Sequence, residues 1–382
     1  MGRCYQKTIY KSSDFGKELE ITSHFKDDLA SLVATEAPSA EKIGKIFQFV
    51  KSKIKWNGYH SKYTSDGVRK AYKEGVGNVA EINLTLVAML REAGIKANPI
   101  LVSTRDNGIP IFPTTDGFNY VISGVEIGDQ IVMLDATEQY SLPNVLPLRD
   151  INWQGRIVRE DGTSDWVDLT TNNPSLKNSI MKIDINDEGE IEGMNRVQYS
   201  NLEALKYRNK NAKIKEEDII IKAEEENGGI EISEFKVDNK TNLDKSVIEV
   251  YKFSSEELTD VMGDKIYFKP LLFNALEENL FKLEKREYPI DFGTPLVSKN
   301  MLSITIPEGF SVESLPENLA IGLPNKYGVY KFDISVNGNK IDIYSILQIN
   351  TPVYPIQFYS EIKEFYKQIV NKNVEQIVLK KV

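Results

Sequence analysis

The sequence predicts an α+β protein, in which several helices lead into an antiparallel sheet and a second, mostly β half follows. The first observation is the helical spacing of apolar residues early in the chain, which is clearest after Asn78. The second is a change to strand-like runs from about Ala97 onward, with Gly128-Asp129 as a two-residue hairpin turn. The third is a polar stretch at residues 170–175, beyond which strand patterns dominate. Segregated helices and antiparallel strands are typical of α+β proteins.

The most strongly marked element is a helix that begins after Asn78. Asn78 is a favourable N-cap, and Glu81, three residues later, can complete a capping box. Gly94 can adopt the left-handed conformation that ends a helix. A helix start stabilises a cysteine thiolate, which is why reactive cysteines are often found there. This chain has Val79 at that position, and a valine has no nucleophilic atom.

The strand pattern sets the expected domains. Residues 118–127 and 130–137 read as two paired strands that complete a first domain, which we assign to residues 1–172. Residues 173–382 read as a mostly antiparallel β-sandwich region, with Asn337-Gly338 as a hairpin turn. A division of this region near residue 285 stays open, and a helix is expected at residues 355–370.

Composition excludes several classes of function. The 382 residues carry a net charge of −9, which disfavours a general nucleic-acid binder. No apolar run approaches the roughly 20 residues of a membrane-spanning helix. One cysteine permits no internal disulfide, and two histidines disfavour a His-rich zinc site. Because nucleotide-binding glycine motifs are also absent from the sequence, we expect no cofactor and no metal ion.

Two motifs resemble those of a known family. Leu90-Arg91-Glu92-Ala93-Gly94-Ile95 ends the helix that starts at Val79, and Leu134-Asp135-Ala136-Thr137 ends the strand hairpin. In this order they resemble the transglutaminase-like superfamily, whose fold is that of papain-like cysteine proteases. The resemblance covers about residues 40–140. Residues 306–310 and the strands around them are similar to the C-terminal region of large bacterial transglutaminase-like proteins, which are often exported and carry an N-terminal β domain that this chain lacks.

The resemblance also implies where a catalytic triad would lie. In the family a cysteine begins the helix, a histidine follows on the next strand, and an aspartate lies in the Leu-Asp-x-Thr segment. The matching residues here are Val79, Tyr120 (with Asn119 just before it) and Asp135. Only the aspartate is retained, although covalent catalysis needs a nucleophile, a base and an orienting group together. We therefore assign no catalytic residue.

The predicted function is that of a catalytically inactive, transglutaminase-like protein with a binding or scaffolding role. The expected ligand is a peptide or cell-envelope material, in a groove whose candidate residues are Trp56, Asn78, Val79, Asn119, Tyr120 and Asp135. Core burial of Trp56 and a structural role for Asp135 remain open. The resemblance favours a periplasmic or cell-surface bacterial location, whereas the start of this chain has no signal-peptide core.

Two alternatives remain. The first is an active hydrolase or acyltransferase with a displaced nucleophile (Ser103, Thr104 or Thr137) and His60 as the base. It requires a hydroxyl within about 3 Å of an imidazole nitrogen. The second is a purely structural module whose groove is filled by its own loop, residues 105–117.

Overall fold

The computed structural model describes residues 9–34, 37–112 and 114–382, apart from the side chain of Thr115. The chain divides into two compact units, Met1–Thr171 and Asn172–Val382. The helices of the first unit are Lys26–Leu32 (α1), Ser39–Lys53 (α2), Val68–Glu74 (α3) and Val79–Glu92 (α4). Its strands are Lys55–Trp56 (β1), Val76–Gly77 (β2), Ala97–Val102 (β3), Tyr120–Ile127 (β4), Gln130–Leu134 (β5), Gln154–Val158 (β6) and Ser164–Asp168 (β7).

The first unit is built around α4, which packs against β3, β4, α2 and α3. Every residue of α4 from Val79 to Leu90 is buried, which is the pattern of a helix enclosed on all sides. Strands β3 to β7 form an antiparallel sheet in the order β5-β4-β3-β6-β7. The helix therefore brings its N-terminal residues to the sheet at the level where β4 begins.

The start of α4 is fixed by its cap. The side chain of Asn78 accepts a hydrogen bond from the N–H of Glu81 at 2.9 Å, and the Glu81 carboxylate accepts one from the N–H of Asn78 at 2.7 Å. The same carboxylate accepts the N–H groups of Ser65 and Asp66. Because it satisfies three backbone donors, Glu81 holds the preceding loop against the helix start.

The second unit is mostly β. Its helices are Leu202–Asn211 (α5), Glu216–Glu226 (α6) and Tyr359–Val374 (α7). Its strands are Ser175–Ile185 (β8), Ile191–Ser200 (β9), Glu231–Asp238 (β10), Val247–Ser255 (β11), Thr259–Met262 (β12), Lys265–Phe268 (β13), Ile290–Asp291 (β14), Leu296–Thr305 (β15), Phe310–Ser314 (β16), Leu319–Gly322 (β17), Gly328–Asn337 (β18), Lys340–Ile349 (β19), Val353–Tyr354 (β20) and Ile377–Lys381 (β21).

These strands form one large sheet and smaller ones. The eight-stranded sheet has the order β10-β11-β9-β8-β15-β19-β18-β17, and β12-β13-β21-β16 form a four-stranded sheet. Pairing is antiparallel except between β8 and β15, which run parallel. Both sheets and the apolar face of α7 contribute to one hydrophobic core, for example through Ile304, Leu379 and Ile362. The expected α+β class, with a mostly antiparallel C-terminal region and a C-terminal helix, is confirmed.

Candidate functional site

The carboxylate of Asp135 is the centre of a buried polar network in the first unit. Asp135 follows β5 and has no solvent exposure. Its Oδ1 accepts hydrogen bonds from Asn83 Nδ2 and Thr137 N, both at 3.0 Å. Its Oδ2 accepts from the hydroxyl of Tyr120 at 3.0 Å and from a terminal nitrogen of Arg149 at 3.2 Å. A carboxylate with this many donors is held rigidly in one orientation.

Tyr120 is the first residue of β4, and its side chain is completely buried. Its hydroxyl also lies 2.7 Å from Oγ1 of Thr137 and accepts from Nε of Arg149 at 3.3 Å. Burial, reinforced by the negative charge of Asp135, raises the pKa of Tyr120 well above its usual value. The phenol therefore keeps its proton and acts as a hydrogen-bond donor to the aspartate.

Arg149 supplies the positive charge of this network. Its guanidinium forms ion pairs with Asp135 and with Glu138, the latter at 3.0 Å. It also lies over the indole ring of Trp56, with Cζ 4.8 Å from the ring centroid. Burial alone would lower the pKa of Arg149. The combined effect of Asp135 and the other acidic groups is larger and raises this pKa above its usual value, so the guanidinium stays charged. The arginine thus connects the buried aspartate to the aromatic surface.

Asp150 is a second buried carboxyl group beside Asp135. Its oxygens accept no hydrogen bond from any described group, and the nearest cationic atom is Nε of Arg149 at 3.8 Å. Burial, with the charge of Asp135, raises the pKa of Asp150 well above its usual value. Burial would also raise the pKa of Asp135, but Arg149 and several hydrogen bonds hold it below the usual value. Of the two carboxyl groups, Asp150 is therefore the one that binds a proton more readily.

Val79 is the first residue of α4 and has no solvent exposure. Its N–H donates to the carbonyl oxygen of Tyr59 at 3.4 Å, so this orphan donor of the helix start is satisfied by the chain itself. Asn83, one turn further along, joins the helix to Asp135. Asn78 is also buried and is occupied by capping. Neither Asn78 nor Val79 presents an accessible surface to a ligand.

Trp56, His60 and Tyr120 form an aromatic stack. The rings of Trp56 and His60 are parallel, with centroids 5.3 Å apart and 9° between their planes. The rings of His60 and Tyr120 form a T-shaped pair, with centroids 5.4 Å apart and 83° between their planes. Trp56 is half-buried and donates from Nε1 to the carbonyl oxygen of Tyr59. The stack covers the buried network on the side of Arg149.

The hydroxyl groups of the displaced-nucleophile alternative hydrogen-bond to other partners. Ser103 donates to the carbonyl of Gly108 at 2.7 Å, and Thr137 lies on the carboxylate of Asp135 at 2.8 Å. Thr104 bonds to the carboxylate of Asp106. Within residues 9–34, 37–112 and 114–382, no hydroxyl forms a hydrogen bond with His60.

Asn119 and the loop after β3 are directed away from Asp135. The side chain of Asn119 accepts from the N–H of Thr104 at 2.9 Å and donates to its hydroxyl at 2.7 Å. In the same loop Ile109, Ile111 and Phe112 are exposed to solvent, the last two by 71%. Those three side chains fill no groove.

Comparison with known proteins identifies the fold of this unit. Residues 27–136 match the model of the Transglutaminase-like superfamily. Residues 27–136 form a transglutaminase-like domain. Residues 264–379 match a Domain of Unknown Function with a solved structure (DUF3858). No curated protein matches the chain in sequence.

The whole chain is also similar to a solved structure. This is the crystal structure of a "putative protease" from Parabacteroides distasonis, with 12% sequence identity and a TM-score of 0.55. The similarity covers 99% of this chain and 58% of that one, so the chain spans little more than half the length of this relative. At this identity the likeness shows the shared fold alone.

Three residues of the site in the transglutaminase-like unit had not been identified from sequence. Arg149 and Asp150 lie outside the helices and strands, and no local motif marks them. Asn83 lies inside α4, where its helical position one turn after Val79 was the available signal. Among the described residues no group of three His, Cys, Asp or Glu side chains is arranged to hold a metal ion. No described helix is long and apolar enough to cross a membrane.

Proposed function

We propose that the transglutaminase-like domain is catalytically inactive and that the protein acts by binding or scaffolding. The observation that carries this proposal is the buried Val79 at the first position of α4, together with the phenol of Tyr120 on Asp135. Acyl transfer by this fold needs an ionisable nucleophile at the helix start. A valine supplies neither a proton to remove nor a lone pair to attack.

The residue on the sheet does not replace a histidine base. A histidine exchanges a proton near neutral pH, whereas the buried phenol of Tyr120 holds its proton, since its pKa is raised. Arg149 also forms an ion pair with Asp135. The phenol of Tyr120 and the carboxylate of Asp135 are thus both engaged in the buried network and stabilise the fold of the domain.

The proposed ligand is a peptide, bound on the aromatic surface formed by Trp56, Tyr59 and His60. Val79, Tyr120 and Asp135 lie beneath this surface and do not meet the ligand. Tyr59 is 60% exposed, and the Trp56–His60 stack is half-buried. Partly exposed aromatic side chains supply rigid contact area at binding surfaces. Support also comes from the similar solved structure, whose name describes a protease.

Steady-state assays on the full chain test the catalytic part of the proposal. A glutamine-containing peptide with a primary amine reports acyl transfer, and a fluorogenic peptide reports hydrolysis. We expect the wild-type chain and the His60→Ala variant to match the buffer blank. Turnover by the wild-type chain that disappears in His60→Ala overturns the proposal and supports the displaced-nucleophile alternative.

Calorimetric titration tests the binding part, with a glutamine-containing hexapeptide and a peptidoglycan stem peptide as probes. We expect at least one probe to bind, and Trp56→Ala to weaken it by about tenfold or more. Trp166→Ala is the matched control, because Trp166 lies on β7 away from the Trp56–His60 stack. Binding of neither probe, or equal losses in both variants, contradicts a peptide site at Trp56.

A further inference from the structure

The second unit contains a cavity between the eight-stranded sheet and helices α5 and α6. Its volume is about 290 Å³. The floor is formed by β8, β9 and β11, and the walls come from the two helices. None of the family or structure similarities described above assigns a role to it.

The floor of this cavity is polar where an apolar surface is expected. Further along the same face of the sheet, Met181, Ile183 and Phe253 belong to the hydrophobic core. Closer to the cavity the corresponding positions are Glu249, which lines it, and Ser179, which bonds to lining residues from behind; their exposures are 7% and 1%. Burying polar groups costs free energy that apolar residues avoid, so such an exception often marks a site.

The amide and hydroxyl groups of the floor are held in one chain of hydrogen bonds. Asn274 donates to the hydroxyl of Ser179 at 3.0 Å, and that hydroxyl donates to the amide oxygen of Asn195 at 2.9 Å. The amide nitrogen of Asn195 donates to the hydroxyl of Tyr251 at 2.9 Å. These side chains are therefore preorganised, as a binding site requires.

Glu249 differs from the other floor residues because its carboxylate accepts fewer hydrogen bonds than it can. Oε2 accepts from the hydroxyl of Tyr207 at 2.6 Å, and Oε1 lies 3.5 Å from the hydroxyl of Tyr199. A carboxylate can accept about four hydrogen bonds. Among the described residues no cationic group forms a salt bridge with it. Lys177 and Lys210 oppose its negative charge without forming a salt bridge with it, so the remaining acceptor sites of the carboxylate are open to a ligand.

Aromatic rings surround this carboxylate. The rings of Tyr199 and Tyr207 have centroids 4.8 Å apart, and Tyr251 lies beside them on the floor. The carboxylate meets the hydroxyl groups of Tyr199 and Tyr207, and the tyrosine rings that line the same cavity can add cation–π contacts to an ammonium group. Burial is the largest influence on the pKa of Glu249 and raises it. The hydrogen bond from Tyr207 and the charge of Lys177 oppose this shift, and a bound cation would reverse it.

The mouth of the cavity carries charged residues of both signs. Lys206 is paired with Glu203, and Lys210 is paired with Glu226. Lys177, two residues before Ser179 on β8, forms no salt bridge in the part of the chain that the structure describes. A ligand that reaches from floor to mouth thus meets a negative group first and a positive group second.

We propose that this cavity binds a free α-amino acid, with the ammonium group against Glu249 and the carboxylate group toward Lys177. Its volume suits a ligand of this size, at the lower end of small-molecule pockets. The site is independent of the inactive transglutaminase-like domain, so failure of either proposal leaves the other standing.

Titration of the full chain with the common L-amino acids, one at a time, tests this proposal. We expect at least one to bind with a stoichiometry of one. Its N-acetyl derivative lacks the ammonium and is expected to bind at least about tenfold more weakly, whereas its amide loses only the contact with Lys177. If no amino acid binds, or if acetylation has no effect, the proposal is wrong.

Variants locate the binding. Glu249→Gln is expected to weaken binding of the amino acid by about tenfold or more. Lys177→Met is expected to weaken binding of the amino acid but not binding of its amide. Lys182→Met is the matched control, because Lys182 lies on the exposed face of the same strand. Wild-type affinity in Glu249→Gln contradicts the site. If that variant does not fold, the comparison of acetylated and free ligand on the wild-type chain decides.

Discussion

The hydroxyl of Tyr120 lies 3.0 Å from Oδ2 of Asp135, and neither residue is exposed to solvent. Their pKa values shift in opposite directions: the pKa of the Tyr120 phenol is raised, and the pKa of the Asp135 carboxylate is lowered. A proton therefore stays on the tyrosine throughout the neutral range. The contact fixes the start of β4 to the segment after β5, and this structural role motivates the first prediction.

Tyr120→Phe removes one donor from a buried carboxylate that keeps other partners. We expect the free energy of unfolding of the first unit to fall by about 1–2 kcal/mol. Urea denaturation monitored by circular dichroism measures the change. Tyr63→Phe is the matched control, because among the described residues the Tyr63 hydroxyl forms no hydrogen bond, and its change is expected to stay within about 0.5 kcal/mol. Equal losses would contradict the assigned hydrogen bond.

Arg149→Met removes the cation that offsets Asp135 and Glu138. Because uncompensated buried charge is left behind, we expect a loss of about 3–5 kcal/mol in unfolding free energy. Arg156→Met tests whether any arginine of this sheet matters as much. In the part of the chain that the structure describes, Arg156 hydrogen-bonds to Ser164 alone and lies over Trp166, so a loss below about 1 kcal/mol is expected. A similar loss in both variants would contradict the central role of Arg149.

Asp150→Asn is expected to stabilise the protein at neutral pH. The pKa of Asp150 is raised in the folded state, so the folded protein binds a proton that the unfolded chain has lost. Its contribution is complete below the ordinary aspartate pKa of about 4 and declines as pH rises toward the raised value. Asparagine carries no such dependence.

The advantage of Asp150→Asn should therefore grow with pH, by up to about 1.4 kcal/mol per unit, until Asp150 ionises in the folded protein. Thermal unfolding of both proteins between about pH 4 and pH 8 measures it. Asp116→Asn, at an exposed loop position, should show no growing difference. A difference between wild type and Asp150→Asn that is constant with pH would contradict the raised pKa.

Glu81→Gln tests the cap of α4. The carboxylate accepts three backbone N–H groups, and the amide retains only one acceptor oxygen. We expect a loss of about 1–3 kcal/mol in unfolding free energy. Glu74→Gln, at the exposed end of α3, is expected to change it by less than about 0.5 kcal/mol. Hydrogen exchange at Asn78 should accelerate only in Glu81→Gln, and acceleration in both variants would contradict the capping role.

Local signals predicted the elements that depend on local chemistry. Asn78 and Glu81 predicted the capping box, and α4 begins at Val79 as its spacing indicates. The turn at Gly128-Asp129 predicted the β4–β5 pairing, and Asn337-Gly338 predicted the β18–β19 pairing. Such features are readable because neighbouring residues suffice to form them.

The interactions that fix the site could not be read in the same way. Arg149 and Asp150 meet Asp135 only because the chain after β5 returns to the sheet without regular structure. The parallel pairing of β8 with β15 and the burial of Glu249 under α5 and α6 also depend on residues distant in sequence. Periodicity identifies buried faces but not the partners that cover them.

The most direct test of the central claim is a search for a covalent acyl-enzyme. Intact mass spectrometry and peptide mapping follow the full chain after incubation with a glutamine-containing peptide substrate, with an active transglutaminase as the positive comparison. We expect no acyl adduct on Ser103, Thr104 or Thr137 of the wild-type chain under conditions that acylate the active enzyme. A stoichiometric adduct on the wild-type chain that maps to Ser103, Thr104 or Thr137 would contradict the claim.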